Sequence, residues 1–106
     1  MARLPIEYHE MARLEVMDAF DWYWERSPAA AERFQRELES AQTAIQDFPE
    51  AWSPHLCGTR HYLLKGFSYH AIYRQLDSRI QIVAVAHTRR EPGYWSQRIE
   101  DPKPIL

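Results

Sequence analysis

Cysteine is almost absent from this chain. Cys57 stands alone, which excludes an internal disulfide and fits a reducing compartment. Only three glycines occur, so no glycine-rich phosphate loop can be written anywhere in it. Lysine is reduced to Lys65 and Lys103. No apolar run approaches the roughly 20 residues of a membrane span, and the N-terminus lacks the apolar core of a secretion signal. No serine sits in a nucleophile-elbow motif, and no paired acidic cluster for magnesium lies in the second half. These shortages predict a soluble, cytoplasmic protein with no membrane contact, no cofactor and no metal.

What is present suits one folded unit. The chain has 106 residues, 45% hydrophobic and 26% charged, enough for one core and too few for two. A single domain is expected over residues 1–106. The net charge of -2 hides a division: residues 1–50 carry five Lys/Arg against 11 Asp/Glu, residues 51–106 eight against four. Four of the five histidines also fall in the second part. Such a split places a cationic working surface on an acidic carrier.

Periodicity supplies the elements. Leu4, Ile6 and Tyr8 alternate with Arg3 and Glu7, giving a strand over 1–8 that Pro5 confines to its start or to a sheet edge. Ala12, Val16, Ala19, Phe20 and Tyr23 share one face of a helix from about residue 10. Ser27-Pro28 ends that helix and caps a second, on which Ala31, Phe34, Leu38, Ala41, Ile45 and Phe48 are spaced three or four apart. The two form an antiparallel helical hairpin over 10–48. After a Pro-containing loop, strands are predicted at 59–65, 69–76 and 79–87, joined by short turns and therefore antiparallel. The expectation is an α+β fold in two layers, the hairpin packed on a small antiparallel sheet, with a tail over 88–106.

The last strand leads into the densest chemistry: Val83-Ala84-Val85-Ala86-His87-Thr88-Arg89-Arg90-Glu91-Pro92-Gly93-Tyr94-Trp95, with Arg98 beyond. Alternation puts His87 on the face of Val83 and Val85. There it is either a hydrogen-bonded structural residue or a partly exposed proton carrier. Arg60, Lys65, Arg89, Arg90 and Arg98 form a candidate group for an anionic partner. Each alone would equally be solvated or paired with Glu91, Glu100 or Asp101. Tyr69 and Tyr73 lie on the middle strand. Trp95 is expected in the core, with Tyr94 turned toward a ligand. His55-x-Cys57-x-x-x-His61 supplies three metal ligands and no obvious fourth. In a metal-free ribonuclease reading, His87 and Tyr94 share the proton work while Arg60 and Arg90 hold the phosphate.

The order of these pieces resembles the RelE/ParE superfamily of bacterial toxins. The resemblance rests on Phe20-Asp21-Trp22-Tyr23 before Ser27-Pro28, Ala31-Glu32-Arg33-Phe34 and Phe48-Pro49-Glu50. It continues through Arg60, Gly66-Phe67-Ser68-Tyr69-His70-Ala71-Ile72-Tyr73-Arg74, and Ala84 to Arg90 with Pro92-Gly93-Tyr94-Trp95. It implies the toxin of a type II toxin–antitoxin pair, and the Trp22-Tyr23 segment looks closer to the ParE-like plasmid-stabilisation branch, whose members inhibit DNA gyrase. A RelE-like messenger-RNA endoribonuclease acting at the ribosome is the alternative the resemblance leaves open, with an inactive antitoxin-binding module as a third. Either toxic branch implies a cognate antitoxin, laid as an acidic segment on the basic sheet face or as an apolar one beside the hairpin. A homodimer or a toxin–antitoxin hetero-oligomer is the implied assembly.

Overall fold

The hairpin forms because its sequence leaves it little choice. In the computed structural model, which describes residues 3–100, α1 spans Glu10–Arg26 and α2 spans Pro28–Asp47. Ser27 separates them in an extended conformation, and its side chain accepts a hydrogen bond from the Ala30 N–H at 3.2 Å. That cap, with Pro28 at the first helical position, starts the second helix where the first stops. Ala31, Phe34, Leu38, Ala41 and Ile45 are all buried. Phe48, expected to extend that stripe, is 63% exposed, because the helix has already ended at Asp47 before Pro49.

The sheet has five strands in the order β1-β5-β4-β3-β2: β1 Ile6–Tyr8, β2 Ser53–Pro54, β3 Arg60–Leu63, β4 Tyr69–Gln75 and β5 Ile80–His87. It is not purely antiparallel, since β1 runs parallel to β5 with Ile6 opposite Ile80. The two-residue β2 joins Arg60 and His61 of β3. Leu64 and Lys65, expected at the end of a strand, belong to the β3–β4 turn. In that turn Gly66 has φ +78° and nothing within 4 Å of where a Cβ would stand. Gly66→Ala is therefore expected to cost about 1 kcal/mol through backbone strain alone. A thermal melt of the purified variant reads that as a fall of several degrees.

One sheet face packs on the hairpin. Ala71, Tyr73, Ile80, Ile82 and Val85 meet Ala12, Ala19, Phe34, Leu38 and Ile45 there. The pairing slips between Ile72 and Tyr73, so Ile72 faces Ala84 while Tyr73 faces Ile82. Val83 is the extra residue. It joins Ile72, Ala84, Ala86 and Trp95 on the opposite face, so the expectation that Val83 shares a face with Val85 and His87 fails at this bulge. The tail covers that second face, with Trp95 only 1% exposed and a short helix, α3, at Ser96–Glu100. Asp101, offered above as a partner for the arginines, lies outside the described residues, as do the Glu100 side chain and the rest of the tail.

Candidate functional site

A cavity of about 480 Å3 opens where α1 passes over the end of β5. From α1 it is lined by Glu15, Asp18, Ala19, Trp22 and Tyr23. The sheet adds Tyr69, Val85 and His87, and the tail adds Arg90 and Tyr94. Helical spacing explains the α1 set, since positions 15, 18, 19, 22 and 23 recur every three or four residues on the side facing the sheet end. The β5 alternation explains Val85 and His87.

Glu15 organises the floor. Its carboxylate accepts from the Val85 backbone N–H at 2.9 Å, the Tyr94 hydroxyl at 2.6 Å, and the Arg98 guanidinium at 3.1 and 2.8 Å. The Arg98 Nη1 also donates to the Val83 carbonyl at 3.0 Å. Burial pushes the Glu15 carboxyl upward, but Arg98, Tyr94 and the Val85 N–H outweigh it and hold it below the usual carboxylate value. Burial, followed by the Glu15 hydrogen bond and charge, drives the Tyr94 phenol far above its ordinary value of 10.0 against the pull of Arg98 and Arg90.

His87 Nδ1 accepts from the Arg89 backbone N–H at 3.1 Å, so its neutral ring carries the proton on Nε2. The ring stands edge-on to Tyr69 at 5.2 Å. Burial raises the Tyr69 phenol, with Tyr23 and Asp18 adding to it. The exposed Arg90 stacks its guanidinium on the Tyr94 ring at 3.8 Å from the centroid. Asp18 is exposed and makes no ion pair among the described residues.

The residues singled out from sequence thus divide. Tyr69, His87, Arg90 and Tyr94 converge on one cavity. Arg98 lies beneath it, spent on Glu15. Arg60 does not reach it: paired with Tyr73 on β3, it donates to the Trp52 carbonyl at 2.7 Å. Lys65 and Arg89 point to solvent outside the lining. The buried Tyr73 donates to the Pro49 carbonyl at 2.7 Å and is structural. His55 stacks on His61 at 4.4 Å, yet no three His, Cys, Asp or Glu among the described residues are placed to hold a metal ion. Glu15, Asp18 and Ala19 were missed as site residues. A helical acid that reaches a strand 70 positions later looks, in sequence, like any solvated one.

With Tyr94 and Arg98 committed to Glu15, the cavity offers aromatic walls, one free acid, one free guanidinium and one imidazole. That set offers apolar contact together with charges of both signs. A profile described as "ParE toxin of type II toxin-antitoxin system, parDE" matches residues 6–92. This chain belongs to the ParE toxin family. It is similar to Toxin ParE2 of Mycobacterium tuberculosis, strains CDC 1551 / Oshkosh and ATCC 25618 / H37Rv. The identity is 30% over 89 residues, covering 83% of this chain and 85% of the relative in each case. Its fold is similar to a solved structure described as "Chromosomal ParDE TA system from P. aeruginosa". The TM-score is 0.70 at 16% identity, over 80% of this chain and 96% of that one. The match spans the ParE-like fold from β1 through β5 and includes His87 and Arg90. Tyr94 and the indole of Trp95 fall just past it. No helix among the described residues of this ParE-family toxin is long and apolar enough to cross a membrane.

Proposed function

We propose that this chain poisons DNA gyrase by binding it, and that a cognate antitoxin silences it by covering α1 and the adjoining cavity. The observation that carries the reading is the commitment of Tyr94 and Arg98 to Glu15. A phenol whose proton is held by the half-buried Glu15 carboxylate is a poor general base, and Arg60 lies outside the cavity, so of the set assembled on paper for RNA cleavage only His87 and Arg90 are both gathered and uncommitted. What is gathered suits adhesion. Arg90 and Trp22 are exposed, ring-backed groups of the kind that dominate binding surfaces.

The antitoxin reading draws on α1. Its outward face leaves Leu14 45%, Met17 54% and Trp24 48% exposed, while Trp22, on the cavity side of the same helix, is 51% exposed. Singly these would mean nothing; along one helix they form an apolar ridge in need of cover. Asp18, Asp21 and Glu25 flank it, which favours an apolar segment with basic residues over the acidic one considered from charge balance.

Arg90→Ala tests the target, because the exposed Arg90 guanidinium stacks on the Tyr94 ring and makes no ion pair among the described residues. The expected result is gyrase-dependent DNA cleavage by the unaltered protein, weakened about tenfold or more in the variant, with the melting temperature unchanged. RNA incubated with the protein in EDTA stays intact. RNA cleavage lost on His87→Ala would move the assignment to a ribonuclease. Unimpaired growth on expression without antitoxin would leave only a binding module.

A further inference from the structure

A second constellation lies on the sheet face opposite the hairpin, and the proposed function does not use it. His55 follows β2, His61 sits on β3 and His70 on β4. Their ring centroids are 4.4, 5.2 and 5.8 Å apart. The His61 and His70 Nδ1 atoms meet at 3.0 Å, which requires one ring to donate and the other to accept through an unprotonated nitrogen. His55 lies 5.8 Å from the Trp95 ring. His55 and His70 also line a small cavity closed by Arg90, Glu91, Pro92, Tyr94 and Trp95. The cluster therefore forms the bed on which the segment after β5 rests, and that segment carries Arg90 and Tyr94 to the other site.

We propose that His55, His61 and His70 form an acid-sensitive latch. Neutral, they stack and hold the 88–95 segment to the sheet; protonated, they release it and unmake the cavity beside α1. Three imidazoles this close tolerate at most one positive charge, because a proton on the accepting nitrogen breaks the His61–His70 bond and sets cations side by side.

The groups facing the cluster act in both directions. From the segment above come Arg90, which opposes further positive charge, and Glu91, the one carboxylate among the described residues lining the small cavity, which favours it. Tyr94 turns its hydroxyl away to Glu15. The sheet contributes Ala86, and Thr88 is uncharged. Burial, with His61 and His55 adding to it, pushes His70 down to about 4; burial and His61 push His55 down as well. Which ring donates depends on the tautomers, and in either arrangement a proton on the accepting nitrogen ends the His61–His70 bond. Because the latched state disfavours the proton, latching is complete above the ordinary imidazole value of 6.5 and weakens as pH falls toward about 4.

The inference concerns how the segment is held, whatever the target, so it is read on the purified full chain without gyrase. The backbone amides of Tyr94 and Ser96 donate to the Glu91 and Gly93 carbonyls at 3.2 and 2.9 Å and report the segment's closure by hydrogen exchange. Corrected for the intrinsic rate at each pH, their protection is expected to fall about tenfold or more between about pH 7 and about pH 5, ahead of the His70 ring itself, which in the latched state takes up its proton only toward about 4. In His70→Gln, whose amide accepts from His61 but takes no proton, protection stays flat. Protection that holds while His70 titrates overturns the latch, as does a fall that persists in His70→Gln. Should that variant not fold, the unaltered chain decides alone: a fall in protection that sets in near 6.5 supports the latch, and protection that stays flat down to about 4 overturns it.

Discussion

Trp95→Ala is expected to be the most damaging single truncation in the tail, costing about 3–5 kcal/mol. The indole is 1% exposed and packs among Ile72, Val83, Ala84 and Ala86, with Tyr94 and Ile99 at its edges. Two alanines on β5 leave room for one large ring, and no neighbouring side chain is long enough to fill the hole once it is gone. A domain of this size has on the order of 5–15 kcal/mol to lose, so the melting temperature should fall by about 12 °C or more. Denaturant unfolding followed by circular dichroism measures the loss directly. The damage reaches function, because Trp95 holds the segment that places Arg90 and Tyr94. The gyrase poisoning proposed above should therefore weaken in Trp95→Ala even at temperatures where the hairpin remains helical. A loss under about 1 kcal/mol would mean that the tail is not part of the folded core.

The same residue shows why some of this molecule is readable from sequence. Trp95 was expected inside, on the ground that a large ring after a turn packs back onto the sheet, and it does. The second helix was legible for a similar reason: five apolar positions at helical spacing, a serine cap and a following proline all demand one structure. The first helix is harder. Apolar side chains lie all round it, some on the core and some, such as Met17 and Trp24, on solvent, so periodicity alone cannot separate a packed face from one awaiting a partner. Phe20, read as core, instead stacks on Trp24 at 5.9 Å. β2 was illegible because Ser53-Pro54 has no strand pattern; only its pairing with β3 makes it one.

The site was half legible. His87 and Tyr94 were found because an imidazole at a strand end and a phenol after a Pro-Gly turn are local signals. Arg60 and Arg98 were indistinguishable from Arg90 as cations. What separates them is tertiary: a carbonyl that Arg60 meets, a carboxylate that Arg98 meets, and solvent around Arg90. The bulge at Val83 decides which face of β5 each side chain takes, and a slip of one residue leaves no trace in an unbroken apolar run.

Glu15→Ala tests that tertiary logic most sharply, and its expected cost is about 2–4 kcal/mol. The substitution strands the Arg98 guanidinium, the Val85 N–H and the Tyr94 hydroxyl together. Arg98 and Glu15 keep only 12% and 16% of their side chains in solvent, so water repairs little of the loss. Glu15→Gln keeps the shape and one acceptor and should cost less. Its penalty should also depend on pH. The folded carboxyl sits below its ordinary value of 4.5, so the charged pair contributes fully above that value and fades as pH falls through the folded one. The stability gap between the unaltered protein and Glu15→Gln should thus be constant near neutrality and close in acid. The latch acts in a higher window, between the ordinary imidazole value of 6.5 and about 4. Two acid transitions are therefore expected, the upper removed by His70→Gln and the lower by Glu15→Gln. Removal of both by either variant would mean that the two faces of β5 do not loosen separately, and that the tail and α1 part from the sheet in one step.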